Sequence, residues 1–258
     1  MSTVSGITNT QYSSYESLSS GKRINGAADD AAGLAIAEKE NAQISGYKAG
    51  ANNMASAKDA LNIADGALGS INDYLQRIRE LAVSASNTAT VTGSDRAAMQ
   101  KEVDQLLKGI SDVAKNTSYN TNPLLDGSKT DFKLATDANG NSTSMSTANA
   151  TLEALGINGF DLTKNFSIKT IDKAISMVSS SRSGIGAQTN ALDYAMNYNS
   201  SAAYYSTAAK SRIEDLDYPQ AVSEKKKEEA LLQYSLFMQK KKAEEETNSV
   251  KKLLNITA

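Results

Sequence analysis

The 258-residue sequence contains no cysteine and no histidine. The absence of cysteine excludes disulfides, thiol nucleophiles and thiolate metal ligands. The absence of histidine excludes a Ser-His-Asp triad, a HExxH zinc site and a histidine general base, because histidine titrates near neutral pH and is the commonest metal ligand. We therefore expect a protein that is not an enzyme, without catalytic residues, cofactors or a metal site.

Other residue types are scarce. Tryptophan is absent, proline occurs only at Pro123 and Pro219, and 6% of residues are aromatic, which favours long, thin helix packing. No apolar run is long enough to cross a bilayer, so we expect no membrane span. The polar segment 1–20 lacks the features of a cleavable signal peptide. The 27 basic and 29 acidic residues nearly balance, which argues against a nucleic-acid partner.

The strongest periodicity begins near Asp29. Small or apolar residues recur every seven positions, and a second set follows the first by three positions. This pattern predicts helix-on-helix packing, and one helix over 31–86 would be about 84 Å long. The two sets are Tyr47, Met54, Leu61, Leu68, Leu75 and Ala82, and Gly50, Ala57, Ala64, Ile71, Ile78 and Ala85.

A second helix is predicted after the segment NTATVTGSDR, which interrupts the first pattern. Ser94 or Asp95 can cap its amino terminus, and the helix should end near Asn116. Its apolar stripe has spacings of four and three residues, which is typical of one helix face. The stripe consists of Met99, Val103, Leu106, Ile110 and Val113.

Residues 117–163 have a different character, with frequent turn-forming residues. The stretches DFKLAT and STSMST alternate polar and apolar residues on either side of DANGN. This favours one β-hairpin with an Asn139-Gly140 turn, placed within about 124–163. A polar loop without regular structure is the alternative interpretation.

Two more helices are predicted, one from about Ile168 and a final one from near Pro219 to the end. Long helices from both ends of the chain, each with an apolar seam, predict a mainly α fold. We expect a long antiparallel helical bundle or coiled coil built from both termini, with the small β-hairpin at one end. The seams consist of Ile171, Val178, Ile185, Leu192, Asn199, Ser206 and Ile213, and of Val222, Leu232, Leu236, Ala243, Val250 and Leu253.

Four stretches resemble the signatures of bacterial flagellins. At the amino-terminal side they are LSSGKRINGAADDAAGLAIAEKENAQISGYKAG (18–50) and DGALGSINDYLQRIRELAVSASN (65–87). At the carboxy-terminal side they are SRSGIGAQTNALDYAMN (181–197) and AKSRIEDLDY (209–218). Their order and their positions near the two ends make the combination specific to this family.

The resemblance implies a structural subunit that polymerises into the extracellular flagellar filament. It implies an inner core made of 1–28 and 211–258, and an outer core made of 29–210. Only the stretch 117–163 separates the helical halves, so this is a minimal form without variable outer domains. We expect the Ser- and Thr-rich segment 1–20 to be disordered in the free monomer and to order on assembly. Export would follow the flagellar type III route.

The resemblance also implies partners. In similar flagellins the segment matching QRIRELAV is recognised by Toll-like receptor 5, which singles out Gln76, Arg77, Glu80 and Leu81. An acidic family contact on the next helix aligns with Gly109, so we expect weaker receptor signalling. The flagellar export chaperone would hold the segment 219–258 through Leu232, Leu236, Ala243 and Val250. The filament cap and junction proteins would be further partners.

Two departures from the family keep alternatives open. The LSSG stretch begins already at Leu18, so the segment before it is short for the family, and eight lysines and six glutamates lie between Glu224 and Ala258. The charge run is either a solvated helix face or the mixed-charge lining of an inner tube. The rival functions are a hook–filament junction protein and a secreted flagellin-like interaction protein that does not polymerise. At the start of the long helix, Arg23, Asp29 and Asp30 serve either the helix end or, as in the family, a subunit contact.

Overall fold

The computed structural model describes residues 12–256 of the chain. The chain divides into two compact units. The terminal unit is formed by the chain up to Ala42 and from Tyr205 onward, and the central unit is formed by Gln43–Tyr204. Residues from both ends of the sequence therefore meet in one unit, as the seams at both ends predict.

Five helices carry the fold of the described residues. They are α1 at 12–20, α2 at Ala27–Ala85, α3 at Gly93–Asn116, α4 at Ile168–Glu214 and α5 at Tyr218–Ile256. The mainly α fold is confirmed, and the helix limits agree with the sequence pattern within a few residues. One backbone break lies inside α2, where Asp30 has φ −161° and ψ 94°.

The first turn of α3 corrects one prediction. Thr92, and not Ser94 or Asp95, is the cap: its hydroxyl accepts a hydrogen bond from the backbone N–H of Asp95. The Asp95 carboxylate accepts in return from the backbone N–H of Thr92 at 2.9 Å, which completes a capping box. These hydrogen bonds with Thr92 lower the pKa of Asp95.

The buried face of α3 also differs from the predicted stripe. Val103 and Ile110 are buried as expected, but Leu107 is buried in place of Leu106. Met99, Leu106 and Val113 are only partly buried. The buried face, which also includes Ala114, is thus rotated by about one residue relative to the predicted stripe.

The predicted β-hairpin is present. Strands β3 (Asp131–Ala135) and β4 (Ser142–Ser146) pair antiparallel, with Asp131 opposite Ser146. Gly140 in the connecting loop has φ +80°, a conformation that glycine adopts without strain. Unpredicted short strands β1 (Ser118–Tyr119) and β2 (Asn122–Pro123) form a second antiparallel pair.

The core of the central unit lies along the α2 seam. Every seam position predicted from Met54 to Ala85 is buried, and α3, the β-strands and the first half of α4 pack against this row. Fully burying one aliphatic side chain contributes roughly 1.5–3 kcal/mol, so this row contributes much of the unit's stability. From α4 the core includes Ile171, Val178, Ile185 and Leu192.

The segment 1–20 was expected to lack order in the free monomer. Residues 12–20 are helical in the structure, and they contact α5. The hydroxyl of Tyr218 donates to the carbonyl of Leu18 at 2.7 Å, and Ser14 donates to Glu228 at 2.8 Å. Residues 1–11 lie outside the described part of the chain, and disorder of the free monomer stays a prediction.

Candidate assembly and recognition surfaces

Two of the quoted signature stretches meet in the terminal unit. The backbone N–H of Arg23 donates to the carbonyl of Glu214 at 2.7 Å, and the N–H of Leu216 donates to the carbonyl of Gly21 at 3.0 Å. The Arg23 guanidinium adds a hydrogen bond to the carbonyl of Ile213 at 2.6 Å. Backbone pairing therefore joins the segment before α2 to the end of α4.

A buried carboxylate lies at this junction. The Glu214 side chain is 8% exposed and pairs with Lys22 at 2.5 Å and with Lys210 at 3.4 Å. The hydrogen bond from Lys22 lowers the pKa of Glu214, against the opposing effect of burial, and Lys210 adds to the lowering. The two lysines hold Glu214 ionised where an unpaired buried charge would be costly.

The start of α2 is organised by Asp29. Its carboxylate accepts the backbone N–H groups of Asn25 at 2.9 Å and Gly26 at 3.0 Å. Asp30 accepts the N–H of Gly33 at 2.8 Å. Both acidic residues satisfy backbone donors near a helix amino terminus, which fits the helix-end interpretation of these residues.

Helix α5 carries the predicted chaperone and assembly residues. Leu232 is half-buried, Ala243 is exposed, and Leu236 and Val250 are 48% and 54% exposed. Apolar side chains that the sequence analysis did not single out are exposed on another side of the same helix, namely Leu231, Tyr234 and Phe237. Helix α5 thus presents the predicted row and further apolar side chains, which the described chain leaves largely uncovered.

The predicted receptor segment lies on α2 in the central unit. Gln76, Arg77 and Glu80 are exposed, whereas Leu81 is 7% exposed and belongs to the core. The Arg77 guanidinium donates to Glu80 at 3.0 Å and to Glu102 of α3 at 2.7 Å. The exposed part of this segment is a small ion-pair cluster, and sequence spacing did not indicate that Glu102 joins it.

Gly109 on α3 lies beside an aromatic ring. A Cβ atom placed on Gly109 would come within 3.2 Å of the Tyr74 ring. The position that would hold an acidic side chain in the family pattern is therefore next to a phenol here. Any side chain added at Gly109 must be accommodated by a small shift of Tyr74.

Ion pairs join α2 to α4 within the central unit. Lys58 pairs with Asp193 at 2.7 Å, Arg182 with Asp65 at 2.8 Å, and Arg79 with Asp172 at 2.7 Å. The hydrogen bond from Arg182 lowers the pKa of Asp65, partly opposed by burial. The sequence does contain a signal for this antiparallel register, because residues of opposite charge lie beside the seams of both helices. The sequence analysis does not use this signal.

The outward face of α4 contrasts with these ion pairs. From Ser176 to Ser201 its exposed positions on one side are uncharged, and this side carries two prominent tyrosines. Tyr194 is 78% exposed and Tyr198 is 66% exposed. Tyrosine combines a large apolar ring with a polar tip, which suits protein–protein contacts.

The described residues contain neither a metal-binding cluster nor a membrane-spanning helix. No group of three or more acidic, histidine or cysteine side chains is arranged to hold a metal ion in the described part of the chain. None of the helices within the described residues has an apolar stretch long enough to span a membrane.

Comparisons with known proteins identify the family. The profile of the bacterial flagellin N-terminal helical region matches residues 1–130, and that of the C-terminal helical region matches residues 168–254. A flagellin from Bacillus subtilis is 36% identical and the match covers 86% of each chain. The chain belongs to the bacterial flagellin family. This family is structural rather than enzymatic, and the chain is a structural subunit of the extracellular flagellar filament.

Solved structures agree with the fold. The crystal structure of Bacillus cereus flagellin matches with a TM-score of 0.51 and 30% identity, over 57% of this chain and 88% of that chain. A protein assigned as flagellar hook-associated, from Vibrio parahaemolyticus, matches with a TM-score of 0.59 and 20% identity. That second match covers 72% of this chain and all of the other, and at this identity it shows the fold alone.

Proposed function

We propose that this chain polymerises through its two terminal segments, with 1–28 and 211–258 forming the inner core and 29–210 the outer core of the filament. The observation that carries the proposal is the row of apolar side chains on α5 that includes Leu236 and Val250, both of which are exposed. An apolar row of this length is normally covered by a partner. The partner we propose is a different surface of the terminal segments of neighbouring copies.

The mode of association that we propose is head-to-tail. Contacts between different surfaces of identical subunits form a ring when the rotation between subunits closes and a helical fibre when it does not, and the fibre is the case we propose for this chain. The ordering of terminal segments costs conformational entropy, which burial of the apolar row on assembly offsets. The subunit would stay soluble until a filament end offers neighbouring rows.

A seeded assembly assay with one substitution tests this. Leu236→Lys places a charge in the exposed row, and we expect it to reduce the sedimentable fraction strongly while leaving the helical circular dichroism of the monomer unchanged. Lys226→Gln, at an exposed position of the same helix, is the matched control and should assemble normally. Equal assembly of the Leu236 variant and the control would refute the role of the row.

The outer core would supply contacts along the filament. Tyr194 and Tyr198 on the uncharged side of α4 support this part of the proposal, because their rings are largely exposed. Replacing both by serine should leave the free energy of unfolding of the monomer within about 0.5 kcal/mol and should shorten filaments in the same assay. Filaments of normal length would show that Tyr194 and Tyr198 do not make the axial contacts.

We further propose recognition by Toll-like receptor 5 through Gln76, Arg77, Glu80 and Leu81. The exposure of Gln76 and the exposed ion pair between Arg77 and Glu80 support the first three residues. The burial of Leu81 implies that it acts by supporting the helix surface. With Gly109 in place of an acidic residue, signalling should be weaker than for a flagellin that carries that glutamate. A reporter-cell assay in which Gly109→Glu fails to raise the signal would contradict the role of this position.

The export chaperone, the filament cap and the junction proteins complete the proposed partners. Helix α5, with the row that includes Leu232, Leu236, Ala243 and Val250, suits binding as an amphipathic helix in a groove of the chaperone. After release from the chaperone, the same row would be used in assembly. Removal of 219–258 should abolish co-purification of the chaperone, and removal of 128–148 is a control that should not. The two rival functions, a junction protein and a secreted non-polymerising protein, predict no filament growth in the seeded assay.

A further inference from the structure

The sequence contains three Asn-Gly pairs, at Asn25-Gly26, Asn139-Gly140 and Asn158-Gly159. In such a pair the glycine backbone nitrogen can attack the asparagine side-chain carbonyl carbon, because glycine has no Cβ to hinder the approach. The reaction requires a free amide nitrogen, a mobile side chain and rotation of the backbone between them. The three pairs differ in which of these requirements the structure meets.

Asn25-Gly26 is protected. The attacking group, the N–H of Gly26, donates to the Asp29 carboxylate at 3.0 Å. The Asn25 side-chain amide donates to the carbonyl of Lys22 at 3.3 Å and to the Ser17 hydroxyl at 3.5 Å. Both reacting groups are engaged, so the pair must open locally before it can react.

Asn158-Gly159 is exposed, but its backbone is held on both sides. The flanking residues Ile157 and Phe160 are buried, and the N–H of Phe160 donates to the carbonyl of Ile157 at 3.2 Å. The N–H of Ile157 donates in turn to the carbonyl of Leu152 at 3.0 Å. Rotation of the backbone at Asn158 would pull two core side chains from their contacts, which opposes the reaction.

Asn139-Gly140 is held only by hydrogen bonds of the exposed loop, in which the Asp137 carboxylate accepts the backbone N–H groups of Asn139 and Asn141. Both residues are exposed in the loop between β3 and β4. Among the described residues, neither the Asn139 side chain nor the Gly140 N–H makes a hydrogen bond. The residues that flank the pair, Ala138 and Asn141, are exposed, so rotation of the loop backbone removes no core side chain from its contacts.

We propose that Asn139 is a non-enzymatic modification site, the principal position at which this chain deamidates. The Gly140 nitrogen bonds to Cγ of Asn139, its proton passes to the departing amide, and ammonia leaves. Water then opens the five-membered succinimide at either carbonyl. The products are aspartate, or isoaspartate in which the main chain runs through the former side chain.

The product would loosen the tip of the hairpin. In the unmodified loop the Asp137 carboxylate accepts the backbone N–H groups of Asn139 at 2.9 Å and Asn141 at 3.1 Å. A second carboxylate at position 139 repels Asp137, and the additional main-chain carbon of isoaspartate displaces these donors.

Peptide mass spectrometry of the full chain after incubation at mildly alkaline pH tests the proposal. Each conversion adds about one dalton, and methylation by an isoaspartate-specific methyltransferase marks the isoaspartate product. We expect Asn139 to convert at least about tenfold faster than Asn25, given the hydrogen bonds that close the Asn25 pair. Conversion of Asn25 or Asn158 as fast as Asn139 would overturn the assignment.

Two variants sharpen the test. Asn139→Gln should remove nearly all of the isoaspartate signal, and Asp29→Ala should accelerate conversion at Asn25 alone by releasing the N–H of Gly26. Unchanged conversion at Asn25 in the Asp29 variant would overturn the explanation of its protection. The N–H of Thr136 donates to the carbonyl of Asn141, so hydrogen exchange at this amide should be faster in the modified protein. Equal exchange rates in modified and unmodified protein would refute the claim that the modification loosens the tip of the hairpin.

Discussion

Gly50 of α2 provides the sharpest stability prediction, because two physical effects of one substitution oppose each other. In an exposed helix interior, replacing glycine by alanine stabilises by about 0.8–1.0 kcal/mol. At Gly50, however, the added Cβ would overlap the carbonyl oxygen of Thr136. That oxygen belongs to the backbone of the hairpin loop and cannot turn away as a flexible side chain would.

The cost of moving the hairpin can be estimated from its contacts. The carbonyl of Thr136 accepts a hydrogen bond from the Asn199 side chain at 2.6 Å, and Asn199 is buried. Losing this bond and leaving a buried donor unpaired costs about 1–3 kcal/mol. Repacking of the loop, in which Ala138 lies against Gly46, adds a further cost that we take to be about equal to the helix-propensity gain of about 1 kcal/mol. The two cancel, so we expect Gly50→Ala to lower the free energy of unfolding by about 1–3 kcal/mol.

Gly66→Ala is the matched control on the same helix. Its added Cβ would have no neighbouring atom within 4 Å, so we expect stabilisation by the full helix-propensity gain of about 0.8–1.0 kcal/mol. Urea unfolding followed by circular dichroism measures both variants. A Gly50 variant as stable as the Gly66 variant would refute the close approach of the hairpin to α2.

Three further predictions concern charged residues. Lys22→Met leaves Glu214 with Lys210 alone, and urea unfolding should show a loss of stability of about 1–2 kcal/mol near neutral pH. Because pairing lowers the pKa of Glu214, this loss should fade as the pH falls through that lowered pKa. A loss that grew as the pH fell would contradict the pairing. Asp65→Asn removes the pair with Arg182, which is partly exposed, so we expect a loss of less than about 1 kcal/mol. Since the folded-state pKa of Asp65 is lowered, this loss should be complete above the ordinary aspartate pKa and vanish in acid, as a pH series of thermal unfolding would record. Arg77→Ala should reduce receptor signalling in reporter cells without altering the helicity of the protein. Undiminished signalling would show that the receptor does not recognise the Arg77 ion pairs.

The long helices were predictable because their seams repeat every seven positions. That spacing places Met54, Leu61, Leu68 and Leu75 on one face of a helix, and all four are fully buried. No knowledge of distant partners is needed for such an inference. The same reasoning predicted the β-hairpin, since alternating residues around an Asn-Gly turn are a local signal.

The cap of α3 was predictable in principle. Thr92 followed three residues later by Asp95 matches the spacing of a capping box, so the assignment of the cap to Ser94 or Asp95 is wrong although a local signal for Thr92 is present. Leu106 and Leu107 are adjacent and equally apolar, so periodicity alone could not decide which one enters the core. The deciding factor is the partner surface on α2, which the sequence of α3 does not contain.

Features that depend on distant residues were beyond reach of the sequence. The contact of Gly46 and Gly50 with the hairpin loop joins positions that lie far apart along the chain. The burial of Leu81 in a segment otherwise exposed depends on the packing of α2 against its neighbours in the central unit. Glu102 joins Arg77 only because α3 packs beside α2. Each requires the three-dimensional arrangement and not only a pattern along one element.

Seeded growth observed by electron microscopy is the most direct test of the central claim, that this flagellin-family chain builds a filament through its terminal segments. Short filament fragments would be incubated with the purified full chain and, separately, with the chain lacking 219–258. The account predicts filaments that lengthen with the full chain and do not lengthen with the shortened one. Failure of the full chain to extend seeds, or equal growth with the shortened chain, would contradict it.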